Sequence, residues 1–143
     1  MKKMSIENKK ILVIEDEPAI GELCRRVLSS EGFKVDIVVN GKAAQGMIAK
    51  RKYALFLLDI RMPVMTGKEL YEWLQEENPQ LASRVIFTTG SVVSGATQIF
   101  LKQTGRPSLP KPFTPDELKS AVIKALEQIQ SKNDGRTGQH INR

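Results

Sequence analysis

The stretch Tyr53-Ala54-Leu55-Phe56-Leu57-Leu58-Asp59 decides how the chain folds. Six uncharged, mostly large apolar residues ending in a carboxylate read as a strand buried on both faces, as strands inside a parallel sheet are. Upstream, Ile11-Leu12-Val13-Ile14 is a second run of this kind and ends in Glu15, Asp16 and Glu17. Between the two, Pro18 stands where a first helical position would fall, and Ile20, Leu23, Cys24, Val27 and Leu28 line one helical face up to Gly32. Val35, Ile37 and Val39 alternate with polar residues in another strand, closed by the turn signal Asn40-Gly41, and Ala44, Met47 and Ile48 mark a short helix.

Downstream the alternation continues. Thr66-Gly67-Lys68-Glu69 is a capping-box pattern opening a helix through Leu70, Trp73 and Leu74, which Asn78-Pro79 ends. Val85 to Thr88 is a strand running into Thr89 and Gly90, and Ala96, Ile99 and Phe100 belong to a weaker helix stopped by Gly105. Pro107 to Pro110 predicts a short edge strand, since proline cannot donate to a ladder. Thr114-Pro115-Asp116-Glu117 opens a last helix whose apolar stripe ends at Ile129. Strand and helix alternate five times, which predicts an α/β fold: a doubly wound five-stranded parallel sheet with helices on both faces. The predicted organisation is a basic N-terminus over 1–8, a domain over 9–130 and a flexible tail over 131–143.

Composition sets limits on what such a domain does. A chain of 143 residues fits one domain, and 41% hydrophobic with 27% charged residues excludes a disordered one. No apolar run approaches the ~20 residues of a membrane span, no apolar leader follows Lys2 and Lys3, and the lone Cys24 cannot close an internal disulfide. The expectation is a cytoplasmic protein with no membrane contact. Of the net charge of +6, residues 1–10 carry +3 and residues 131–143 carry +2, which leaves +1 for the body. Basic tails, not a basic reading face, account for the charge, so no nucleic-acid binding is expected.

A sheet of this type binds its ligand beyond the carboxyl ends of its strands. Those ends deliver Glu15 and Asp16, Asp59, Thr89 and Lys111. Carboxylates converging without His or Cys select a hard cation, and Mg²⁺ is the usual one beside phosphoryl groups. A hydroxyl and an ammonium on the same edge suit anionic oxygens. The set describes a phosphoryl site in which an aspartate is the nucleophile.

At these residues the chain resembles the response-regulator receiver domain of two-component signalling. The resemblance rests on Ile14-Glu-Asp-Glu17, Leu58-Asp-Ile-Arg-Met-Pro63 with Gly67, Phe87-Thr-Thr-Gly90 and Leu109-Pro-Lys-Pro-Phe113, four motifs in order over about residues 9–130. It implies a flavodoxin-like fold, Asp59 as phosphoacceptor, Glu15 and Asp16 as the acidic pair for Mg²⁺, and a backbone carbonyl near Arg61 as a further ligand. It also implies Thr89 as switch hydroxyl, Lys111 as the lysine on the phosphoryl group, and a cis Lys111-Pro112 bond. Of the two threonines, Thr89 is preferred because Gly90 follows it; neighbours on a strand point to opposite faces. The implied partner is a sensor histidine kinase or a histidine phosphotransfer protein, and the implied chemistry is self-phosphorylation and slow acyl-phosphate hydrolysis, with no metabolic reaction.

Two positions depart from the family pattern. The acidic pair is Glu-Asp, not Asp-Asp, and the switch aromatic falls on Ser108. The run Thr104 to Pro107 resembles receivers of hybrid sensor kinases. Glu17 reads as a helix N-terminal acid, and Cys24 and Trp73 as packing residues. Rival classes fit less well: a flavodoxin-like electron carrier needs a Ser/Thr/Gly phosphate loop where the acids stand. A haloacid-dehalogenase-type phosphatase needs an aspartate at Arg61, and a P-loop nucleotidase needs a motif the chain lacks. The remaining alternative is a receiver-like interaction module in which phosphorylation is vestigial.

Overall fold

A computed structural model describes residues 9–90 and 93–141, with side chains described through Lys132. The elements are β1 (Lys10–Ile14), α1 (Pro18–Ser30), β2 (Lys34–Val38), α2 (Gly41–Lys50), β3 (Leu55–Asp59), α3 (Gly67–Glu77), α4 (Pro79–Ala82), β4 (Val85–Thr89), α5 (Gly95–Thr104), β5 (Ser108–Pro110) and α6 (Pro115–Ile141). All strand pairs are parallel, in the order β2-β1-β3-β4-β5. Every residue of β3 is buried, which its uninterrupted apolar run requires of a central strand.

Alternation divides the core into two layers. Ile11, Val13, Leu55, Leu57 and Ile86 face α1 and α6, meeting Cys24, Leu28, Leu118 and Val122. Leu12, Ile14, Phe56, Leu58 and Phe87 face the opposite way, onto Ala44, Leu70, Tyr71 and Leu74. The helices therefore cover both faces, and the carboxyl ends of β1, β3 and β4 stay open as one edge.

Local chemistry fixes the element starts. Thr66 accepts from the Glu69 amide at 3.1 Å while Glu69 accepts from the Thr66 amide at 2.9 Å, and Thr114 and Glu117 repeat this reciprocal box at α6. Asn40 does more than turn: its side chain caps α2 by accepting from the Ala43 amide at 2.8 Å. Asn78 ends α3 and also caps the single turn α4, with Pro79 at its first position. The edge strand is one residue shorter than the Pro107 to Pro110 run. The N-terminal segment 1–8 lies outside the described residues. Helix α6 runs to Ile141, past Ile129, where its apolar stripe ends.

Candidate functional site

The open edge gathers side chains from three strands and the turns that follow them. Asp59 closes β3 and is 3% exposed; Glu15 follows β1 and is 2% exposed. Lys111, just past β5, reaches between them, with Nζ 2.8 Å from Glu15 Oε1 and 3.1 Å from Asp59 Oδ2. Its own amide donates to the Thr89 carbonyl at 2.6 Å, tying the lysine to the end of β4. The Lys111-Pro112 bond is cis.

Each carboxylate is held at its second oxygen as well. The Arg61 amide donates to Asp59 Oδ1 at 3.0 Å, and the Glu17 amide donates to Glu15 Oε2 at 3.1 Å. Gly67 closes the turn behind Asp59: a Cβ there would lie 2.4 Å from the Asp59 carbonyl oxygen and 2.6 Å from the Ile60 Cα. Glycine is needed at this position for space, since both neighbours are backbone.

Burial and charge act against each other on these groups. Burial pushes the Glu15 carboxyl up to about 7, opposed by its bonds to Lys111 and the Glu17 amide and reinforced by Asp59. Burial also works to neutralise Lys111, but the bonds to Glu15 and Asp59 outweigh it and hold the ammonium above the ordinary lysine range. The lysine is a permanent cation at the pH of a cell.

The sequence singles out Glu15, Asp16, Asp59, Thr89, Lys111 and Arg61, and the fold brings the acids and Lys111 into one cluster. Carboxylate oxygens of Glu15, Asp16, Glu17 and Asp59 lie within 4.8 Å of one another, two of the residues buried and two exposed. An oxygen-only donor set of this kind fits a hard divalent cation. Glu17 is the residue that sequence reasoning understates. It is the N-cap of α1 but makes no side-chain cap; its Oε1 lies 3.3 Å from Lys111 instead. The lysine is 94 residues away, so no local pattern could reveal that pairing. Thr88 pairs with Asp59 in register and Thr89 stands one residue farther toward the open edge; both are buried. Arg61 contributes its backbone amide. Ser108 is exposed on β5 beside Phe87.

The profile of the response regulator receiver domain matches residues 11–123. The chain belongs to the response regulator receiver domain family. It is 33% identical over 126 residues to response regulator Rre1 of Synechocystis sp., covering 87% of this chain and 54% of that protein. It is 30% identical over 120 residues to transcription factor SKN7 of Saccharomyces cerevisiae, covering 82% and 18%. The chain spans about half the length of the response regulators it matches. Among solved structures, a CheY-like receiver domain protein from Methanospirillum hungatei superposes with a TM-score of 0.80 at 27% identity, covering 88% of this chain and 99% of that one. The signal receiver domain of a histidine kinase from Syntrophus aciditrophicus gives 0.75 at 27%, covering 84% and 91%. Receiver domains are the phosphoacceptor modules of two-component signalling, and that is the function of this domain. No described helix is long and apolar enough to cross a membrane.

Proposed function

We propose that Asp59 is the phosphoacceptor, with Lys111 as the cation on the transferred group and Thr89 as the hydroxyl that answers it. The observation that carries this reading is the bonding of Asp59: buried, at the end of the central strand, with one oxygen held by the Arg61 amide and the other by Lys111. One carboxylate oxygen forms the new O–P bond as the N–P bond of a phosphohistidine breaks, and the departing imidazole takes up a proton. Lys111 offsets the charge that the transferred group brings to a site already rich in carboxylates, which is most of what phosphoryl transfer asks of a protein. The Thr89 hydroxyl donates to a phosphoryl oxygen once the group is in place.

Asp16, Asp59 and the backbone at Arg61 would hold Mg²⁺, with Glu15 acting at one remove through its bond to Lys111. The ion supplies neutralisation of the phosphoryl oxygens and of the crowded acids. The phosphodonor in this reading is the phosphohistidine of a sensor histidine kinase or a histidine phosphotransfer protein; His140, the one histidine of this sequence, lies far along the chain from Asp59. A reducing cytoplasm suits the free, buried Cys24, whose thiol burial pushes up to about 12.

The test is incubation with acetyl phosphate and Mg²⁺, read by intact mass. The parent chain takes up one phosphoryl group and Asp59→Asn takes up none while keeping its circular dichroism spectrum. Undiminished labelling of Asp59→Asn would move the acceptor elsewhere.

A further inference from the structure

The edge of the sheet opposite Asp59 is basic. Lys9 and Lys10 at the start of β1, Lys50, Arg51 and Lys52 at the end of α2 and just beyond it, and Arg84 just before β4 line one open cleft of about 1180 Å³. Among the described residues no acid lines it. The cleft lies roughly one strand length, ~16 Å, from the acidic cluster. Residues 9–130 net only +3 although six cations line this cleft, so charge is sorted to one end of the domain.

Local structure explains part of the cluster. Lys50 sits in the last turn of α2, where a cation complements the helix dipole. Arg51 Nη1 bonds Asp36 at 3.1 Å, and Arg84 Nη1 donates to the Ala54 carbonyl at 3.2 Å. These bonds use one nitrogen of each guanidinium and orient the rest, leaving further N–H donors on each. Among the described residues no carboxylate stands within ion-pair distance of Lys9, Lys10, Lys50 or Lys52. Three separate segments of chain have thus converged on one cleft, and of its six cations only Arg51 is ion-paired among the described residues.

The ligand chemistry follows from what the cleft offers and lacks. Oriented guanidiniums flanked by lysines suit phosphoryl oxygens, which accept from both. Among the described residues a stacking platform for nucleic-acid bases is missing: of the two lining aromatics, Phe56 is 0% exposed, and Tyr53 is 5% exposed with its hydroxyl bonded to Asp36 at 2.6 Å. We propose that this cleft binds an oligophosphate, a ligand with two or more linked phosphoryl groups. Such a chain spreads its charge over several cations at once, as a single carboxylate or phosphate cannot.

The experiment is titration of the full chain, in chelator and at physiological ionic strength, with tripolyphosphate, with ATP, and with lipid vesicles containing or lacking phosphatidylinositol bisphosphate. Backbone amide shifts report the location. Saturable tripolyphosphate binding is expected, with shifts at residues 9–10, 50–54 and 84 and none at Asp59 or Lys111. The exposed pair Lys50→Glu/Lys52→Glu should weaken it at least tenfold while still taking up phosphate from acetyl phosphate, which shows the variant folded. Tighter binding of ATP than of tripolyphosphate assigns the site to a nucleotide; binding confined to bisphosphate-bearing vesicles assigns it to a lipid headgroup. Three results would overturn the proposal: no saturable binding of any of the three, shifts at the acidic end, or undiminished binding by the double variant.

Discussion

Lys111 makes ion pairs to Glu15, Glu17 and Asp59, so the site is a balance of one cation against crowded acids. Glu15 carries the visible cost. Its carboxyl is pushed from 4.5 up to about 7, so the folded chain binds that proton more tightly than the unfolded chain does. The stability this contributes is full below pH 4.5 and is lost as pH rises toward 7. In chelator, thermal melts should therefore show Tm falling across that window, and Glu15→Gln should flatten the fall and raise Tm above pH 7; an unchanged slope in the variant would contradict the assignment. Val64 is a second single-residue effect. It is β-branched, 76% exposed, and held at φ 69, a left-handed conformation that costs such a residue about 1–2 kcal/mol. Val64→Asn should raise stability by about 0.5–1 kcal/mol, read as a higher urea midpoint, because asparagine tolerates that region. A lower midpoint would mean the exposed valine makes a contact that outweighs the strain.

Among the elements, the turn from β3 into α3 is built with no spare space. Gly67→Ala would force its Cβ against the Asp59 carbonyl and the Ile60 backbone, neither of which can rotate away. We expect a loss of about 1–3 kcal/mol, as overpacking typically costs, together with slower labelling from acetyl phosphate because the aspartate must move. Labelling at the parent rate in a destabilised variant would separate the turn from the chemistry. Helix α5 shows the opposite character. It buries no residue fully and rests on the core through Leu101 and the Phe100 ring, which stands edge-on to Tyr71 and Phe87 at 5.9 and 5.7 Å. The exposed Ser108 beside Phe87 cannot fill volume vacated by a moving Thr89, so little packing energy is available to transmit a change at the site. Amide exchange with beryllofluoride should show modest extra protection over residues 93–110; strong protection throughout α5 and β5 would refute weak coupling.

For the whole molecule, the most legible feature was the alternation itself. The β3 run forces a buried central strand, and a buried central strand in a doubly wound sheet fixes where Asp59, Glu15 and Lys111 must meet. Short-range signals, the two capping boxes above all, located helix starts because they act within four residues. What the sequence hid depends on distance. Glu17 looked like a helix acid because its partner Lys111 is remote, and the basic cleft comes from segments whose lysines look like ordinary surface charge one at a time. The single turn α4 was hidden for another reason: Asn78-Pro79 signals an ending and a beginning with the same two residues.

In the proposed reaction one buried carboxylate, Asp59, takes the phosphoryl group. The most direct test is reductive trapping of the labelled chain with borohydride, which converts an aspartyl phosphate to homoserine, followed by peptide mapping by tandem mass spectrometry. Homoserine is expected at position 59 and at no other acid, Glu15, Asp16 and Glu17 included. Homoserine at Asp16, or phosphate retained on a residue that borohydride leaves untouched, would contradict it.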